Sequence, residues 1–262
     1  MLLVVGFITG ILSGLLGIGG GLIFVPLLLT VFPIIGLEYS IITVSSIATS
    51  LMAGSFTSAS AVYNHQKKQN ILWKEGLILG AGAVFSAVIA PHIIISVDQN
   101  TLKIIISIFI TIAAIKIFKT KTNIQSVKTK LSMYWLFPIG VLLGGLAAIS
   151  GLGGGIFYVP ILFVFIGGDL KISVGTSTIV IFMTMVSATI SFLLLNQEWN
   201  IDLFQFGYIN IASAVLLGLG AVFGAYFGVK LIFKVPVAVF RRIFSVFLIL
   251  VVIKILLGVI NE

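Results

Sequence analysis

The sequence predicts an all-α, polytopic membrane protein of two inverted repeats, each a re-entrant helical hairpin plus three transmembrane helices. Three observations carry this. The 262 residues are 60% hydrophobic and only 8% charged, where a soluble domain carries about 25% charge. The stretch "GLLGIGGGLIFVPLLL" at 14–29 returns as "AISGLGGGIFYVPILF" at 148–163. The basic residues collect on one side of the membrane once each of these stretches is folded back on itself.

The repeat is read by sliding the chain along itself. Gly10, Leu12, Gly17, Gly19, Gly20, Gly21, Val25, Pro26 and Leu28 find identical partners at an offset of 134. Further on, "GAVFSA" at 82–87 pairs with "GAVFGA" at 220–225, and "SIFITIAAIKI" at 107–117 with "SVFLILVVIKI" at 245–255. Residues 1–120 are thus the first repeat, 121–133 a basic linker expected in the cytoplasm, and 134–262 the second repeat.

Each half opens on an uncharged run, 1–37 and 131–168. A straight helix of about 37 residues would reach about 55 Å, against a hydrocarbon core of about 30 Å. Glycine inside a helix costs about 1 kcal/mol relative to alanine, and each run carries three in a row. A turn inside the bilayer explains both facts, because irregular backbone is tolerated there only where protein or water surrounds it. Ordinary spans follow at 41–63, 76–96 and 100–118, and at 172–196, 205–229 and 239–259. The first basic residue is Lys67, so the opening run is not expected to be a signal peptide.

Charge decides how the runs fold. If each crosses the membrane once, the basic residues distribute over both faces without bias. If each returns to its own side, one face collects Lys67, Lys68, Lys74, Lys116, Lys119, Lys121, Lys128, Lys130, Lys171, Lys230, Lys234, Arg241 and Arg242. Only Lys103 and Lys254 remain opposite, with Glu38, Asp98, Glu198, Asp202 and Glu262. That asymmetry is what basic cytoplasmic loops require. An odd number of crossings then inverts the second half, and both termini lie outside.

The two glycine motifs, each followed by a hydroxyl-rich stretch, "ITVSSIATS" at 42–50 and "ISVGTSTI" at 172–179, resemble the TauE/SafE family of sulfite exporters, which are bacterial membrane permeases. The resemblance covers essentially the whole chain. It implies a multi-pass transporter of the cell membrane for small anions, sulfur-containing or organic, such as sulfite or a sulfonate. Ala148 stands where the first motif has Gly14, which blurs the symmetry outside the triplets.

An anion inside a bilayer needs compensation, and a helix N-terminus supplies free N–H groups and partial positive charge. The expected site therefore joins Gly19, Gly20 and Gly21 with Gly153, Gly154 and Gly155. Ser45, Ser46, Thr49, Thr176, Ser177 and Thr178 offer further hydroxyl donors; their other reading is bonding within and between helices. Pro26 and Pro160 have no N–H to give and are read as shaping the return limb. His65 and His92 lie at segment ends and read as structural sooner than as proton carriers. Lys116 and Lys254 match across the repeat, though lysine near a helix end snorkels. "GAVFGAYFG" at 220–228 reads as close helix packing.

The chain has no cysteine, which removes disulfides and thiolate chemistry. No nucleophile–base pair, metal-ligand cluster or ATP-binding loop is apparent. The expected function is a secondary transporter with no catalytic residue, metal or cofactor. The alternatives are an anion channel and, much further off, a membrane-embedded enzyme. The expected partners are the small anion and the lipid bilayer, not nucleic acid. A coupling ion, proton or sodium, and a homodimer stay open.

Overall fold

The computed structural model describes residues 1–16, 19–119, 133–166, 170–195, 199–200, 203–231, 248–250, 252–253 and 255–257. The described residues are almost wholly helical. Each opening run forms two short helices: α1 (Leu2–Leu16) and α2 (Gly21–Ile34), then α6 (Leu136–Ser150) and α7 (Gly155–Ile166). The remaining helices are α3 (Ile42–Gln66), α4 (Trp73–Ile94), α5 (Gln99–Lys119), α8 (Leu170–Leu195) and α9 (Ile211–Leu231). An apolar helix, α10, follows at Leu248–Leu257. Single 3₁₀ turns, Tyr39–Ile41 and Met133–Trp135, lead into α3 and α6.

Among the described residues, five helices are long and apolar enough to cross a membrane. The expected spans 41–63, 76–96, 100–118 and 172–196 fall within three residues of α3, α4, α5 and α8 at each end. The span expected from 205 begins later. Three short strands, Trp199–Asn200, Gln205–Phe206 and Ile209–Asn210, instead make a small antiparallel sheet of order β1-β2-β3, the 199–210 sheet. Phe204 and Gly207 hold positive φ angles of 51° and 53° there. Asn210 then starts α9: its Oδ1 accepts the Ser213 N–H at 2.9 Å, which satisfies one of the free amides of a first turn. Of the linker 121–133 only Met133 is described. Lys121, Lys128, Lys130, Glu198, Asp202, Lys234, Arg241, Arg242, Lys254 and Glu262, and the side chains of Lys116 and Lys119, lie outside the described residues.

Contact registers fix how the helices run. Gly6, Gly10 and Gly14 of α1 face Leu217, Ala221 and Ala225 of α9 in that order, so α1 and α9 are parallel. Along α3, Thr49 accepts a hydrogen bond from the Asn210 N–H, Phe56 packs on Gly218, and Ser60 donates to the Val222 carbonyl. So α3 is parallel to α9 as well. The second half repeats this. Gly140 and Gly145 of α6 face Leu79 and Ser86 of α4. Along α8, Thr176 meets Gly76, Met183 meets Gly80, and Ser191 donates to the Val88 carbonyl at 2.7 Å. Two parallel trios result, α1–α9–α3 and α6–α4–α8, and each takes its second helix from the opposite half.

The hydroxyl-rich helices α3 and α8 sit at the centre. Their apolar windows are 72% and 56% buried, against 39–50% for α4, α6 and α9. Large side chains such as Phe85, Leu142, Phe223 and Leu219 point outward and exposed, as a lipid-facing surface requires. Close glycine contacts draw the trios together. A Cβ at Gly224 would collide with the Phe7 carbonyl, and one at Gly82 with the Phe137 carbonyl. Hydrocarbon gives no hydrophobic drive between helices, so such approach is the main source of their packing energy.

Candidate functional site

The first glycine triplet meets the residues that lead into the second. A Cβ on Gly21 would strike the Gly151 carbonyl and come 2.6 Å from the Leu152 Cα. Gly151 packs on Val25 and on Ile47 of α3. The breaks of both halves thus touch each other, walled by α3 and α8. Gly19, Gly153 and Gly154 have φ of 75°, 76° and 78°, a region L side chains rarely enter. Gly20 differs: it is helical, φ −78° and ψ −20°, and caps α2. What it excludes is a side chain over the Phe24 ring. Tyr158 holds the matching place under Gly154, its ring 2.6 Å from where a Cβ would stand.

Two helices begin at these breaks. The first amides to close onto α2 are those of Ile23 and Phe24, both donating to the Gly20 carbonyl at 3.1 Å. In α7 they are Phe157 and Tyr158, donating to the Gly154 carbonyl at 2.8 and 2.9 Å. The amides of Gly21, Leu22, Gly155 and Ile156 come before these, outside the helices' own ladders, at the positive ends of the helix dipoles. No side-chain cap bonds the start of α2.

The six expected hydroxyls are buried but go to different tasks. Ser45 Oγ accepts from Gln205 Nε2 at 3.2 Å, and Thr49 Oγ1 accepts from the Asn210 N–H at 3.0 Å. Both hold the 199–210 sheet over the start of α3. At the opposite end, Thr176 Oγ1 accepts from the Leu72 N–H at 3.0 Å, and Gly175 lies against the Asn70 carbonyl. There the α3–α4 loop covers the start of α8. Ser177 and Thr178 donate to carbonyls of their own helix, Val174 and Gly175, at 2.7 and 2.6 Å. Ser46 alone of the six has a buried hydroxyl with no hydrogen-bond partner. It lies one turn from Ser50, on the same helical face, and Ser50 donates to the Gly151 carbonyl at 2.9 Å.

Sequence reading did not single out Met185, Gln205 or Asn210. Met185 is fully buried on α8 and lies against Gly19, Gly54 and Gly153, so its thioether fills the space between the breaks. A methionine in an apolar helix carries no sequence signal. Asn210 did carry one: an Asn directly before an apolar run marks a helix start. Among the described residues no group of three or more His, Asp or Glu could hold a metal.

The family model for sulfite exporter TauE/SafE matches residues 2–255. Among curated proteins, a probable membrane transporter of Methanocaldococcus jannaschii is 30% identical over 88% of this chain and 85% of its own length. A probable membrane transporter of Haemophilus influenzae is 29% identical over 97% of both chains. The probable membrane transporter YunE of Bacillus subtilis is 24% identical over 96% of this chain and 94% of its own. No solved structure matches. With a match of this length, similar transporters in three organisms, and five apolar helices of membrane-crossing length, the chain belongs to the sulfite exporter TauE/SafE family of membrane transporters.

Proposed function

We propose that this protein is a secondary transporter of a small anion, sulfur-containing or organic such as sulfite or a sulfonate, with one site where the two glycine breaks meet. The observation that carries the reading is their mutual contact. Two helix N-termini from opposite halves start in one place, and no Asp, Glu, Lys or Arg stands in α2, α3 or α7. Backbone amides and the free hydroxyl of Ser46 would hold the anion. Gly19, Gly20, Gly21, Gly153, Gly154 and Gly155 let it approach the main chain. Ser45, Thr49 and Thr176 would latch the covers at the two ends, with Ser177 and Thr178 in the wall.

The same reading includes two inverted repeats. Since α1 and α3 both run parallel to α9, α2 between them must return toward the side from which α1 came. Each half then makes an odd number of crossings. The α3–α4 end carries Lys67, Lys68, Lys74, Lys171 and Lys230 and would face the cytoplasm. Alternating access follows from the covers: the 199–210 sheet closes one end and the α3–α4 loop the other, each clasping a helix of the opposite half.

Purified protein in liposomes tests this with sulfite, thiosulfate, sulfonates and carboxylates as probes. A carrier gives saturable flux and trans-stimulated exchange for at least one of them. Flux that neither saturates nor exchanges supports an anion channel instead, and no flux of any of these anions defeats the reading.

A further inference from the structure

The proposed site leaves one buried titratable group unused. His65, in the last turn of α3, is fully buried, and neither ring nitrogen makes a hydrogen bond of ordinary geometry, the nearest approach being to the Gly14 backbone. A polar ring sealed from water with such poor partners costs free energy, which points to a task beyond packing. At the matching place in the second half, an offset of 130 from the hydroxyl-rich stretches, α8 has Leu195. The two-fold pattern is broken here, at one end only.

The surroundings indicate the task. The backbone of Gly14, in the last turn of α1, faces the imidazole. The final carbonyls of a helix lack intrahelical donors and sit at the negative end of its dipole, and α1 has no basic residue in its last turn. A charged imidazole is the donor such an end lacks. On the other side, the His65 carbonyl accepts the Asn70 N–H at 3.2 Å, so the ring stands at the root of the α3–α4 loop. α1 brings no titratable side chain to this place. The charged groups of the packed elements at this end are Lys67 and Lys68 beyond α3, Lys230 on α9, Lys74 and Glu75 on α4, and Lys171 on α8; Tyr63 and Tyr226 are its other titratable groups. Lys68 is the one whose charge reaches the ring, and it rides on the loop that covers this end.

We infer that His65 is the proton site that couples anion movement to a proton gradient. In the closed arrangement the ring is neutral and sealed. When the α3–α4 loop lifts, a hydronium ion gives its proton to a ring nitrogen, and the imidazolium donates to the carbonyls that end α1. His65 stands about 22 Å along α3 from Ser50, so the bound proton acts on the anion's site at a distance, through the end of α1 that precedes the break at Gly19–Gly21. It is lost again when the ring next meets water from the other side. An imidazole suits this, since its ordinary pKa of about 6.5 lets it exchange protons near neutrality. The inference rests on the transporter reading, and its test separates the two.

The chain has two histidines, His65 and the exposed His92, so H92Q leaves one. In H92Q protein labelled on histidine, the ring resonances are expected to shift between about pH 8 and about pH 4; a flat response overturns the proposal. In proteoliposomes holding a pH-sensitive dye, a gradient of methanesulfonate, which has no proton of its own to exchange in this range, should change the internal pH with H92Q protein. With H65Q that change should be lost while methanesulfonate exchange persists. Proton movement that survives H65Q overturns the proposal. Loss of exchange as well, in both H65Q and H65N, assigns the ring a structural role and overturns it too. If H92Q moves no methanesulfonate, the sulfonate reading fails, and the ring titration alone decides the proton site.

Discussion

The two glycine breaks have the same three residues and the same proline five positions on, yet different backbones. Among the described residues of the first, Gly19 is left-handed and Gly20 has already joined the turn of the helix it caps. In the second, Gly151, Gly153 and Gly154 are all left-handed. The difference shows at the middle glycine of each triplet, helical at Gly20 and left-handed at Gly154. Gly151 ends α6, its N–H donating to the Ala148 carbonyl at 3.1 Å, as a C-terminal glycine does. Beneath Gly154 lies Tyr158, whose hydroxyl is 3.1 Å from Thr184 Oγ1 on α8; beneath Gly20 lies Phe24, with no hydroxyl to tether it. Identical sequence in two halves therefore does not mean identical conformation. A transporter with one substrate and two access routes has use for that inequality.

The largest effects are expected where the halves are alike, at the glycine contacts between helices of each trio. Gly220→Leu on α9 would drive its side chain into Leu3 and Phe7 of α1, and Gly82→Leu on α4 into Phe137 and Val141 of α6. The obstacles are backbone atoms, which no rotamer change can relieve. Each variant should lose more than about 4 kcal/mol and fail to appear as a monodisperse protein in detergent. If one variant folds normally and the other does not, the two interfaces are not equivalent and the repeat symmetry stops short of the helix packing.

Next come the breaks, where the halves should part. Gly154→Ala forces a left-handed alanine, about 1–2 kcal/mol, and presses its Cβ on Tyr158 and Ala147, about 1–3 kcal/mol more. Gly20→Ala has no backbone strain to overcome, and the nearest atoms its Cβ meets belong to the side chain of Phe24, which can give way. Apparent melting temperatures in one detergent should therefore fall further for Gly154→Ala. Equal losses would show that the two triplets share one conformation after all. Anion affinity in the proposed site should drop for both.

Much of the fold was legible because bilayer thickness limits helix length so tightly. A run too long for one span and too glycine-rich for one helix had to break, and it breaks between Leu16 and Gly21 and between Ser150 and Gly155. Charge-free spans 41–63 and 172–196 had no other reading. The start of α9 was missed because Gln205–Asn210 carries no charge to separate it from the apolar run that follows, and only the capping geometry of Asn210 ends the sheet. The site was less legible. Hydroxyl-rich stretches announce polar atoms inside a membrane but not their partners. Thr49 and Thr178 look alike in sequence, yet one reaches Asn210 across the halves and the other its own helix. Met185 could not be found at all, since what matters is the three glycines around it.

The smallest effect separates latches from ligands. Thr49→Val and Thr176→Val each remove one oxygen that accepts a backbone N–H, from Asn210 at one end and Leu72 at the other. The Asn210 amide is the more deeply buried; leaving it unpaired should cost about 1–3 kcal/mol, and the half-buried Leu72 amide nearer the about 1 kcal/mol of an ordinary lost bond. The sheet at the Thr49 end keeps a second tie through Gln205 and Ser45. The α3–α4 loop is also held by Asn70 on the His65 carbonyl. Neither cover should therefore come away altogether. Since the chain has no cysteine, a single Ile209→Cys, at a buried position of the sheet, or Asn70→Cys reports each cover by its thiol-labelling rate. Thr49→Val should quicken labelling at position 209 and not at 70, and Thr176→Val the reverse, while the affinity for a bound anion stays within about twofold, less than about 0.5 kcal/mol. Affinity that falls tenfold or more, about 1.4 kcal/mol, with labelling unchanged would make these hydroxyls ligands and leave the ends of the bundle without the latches proposed for them.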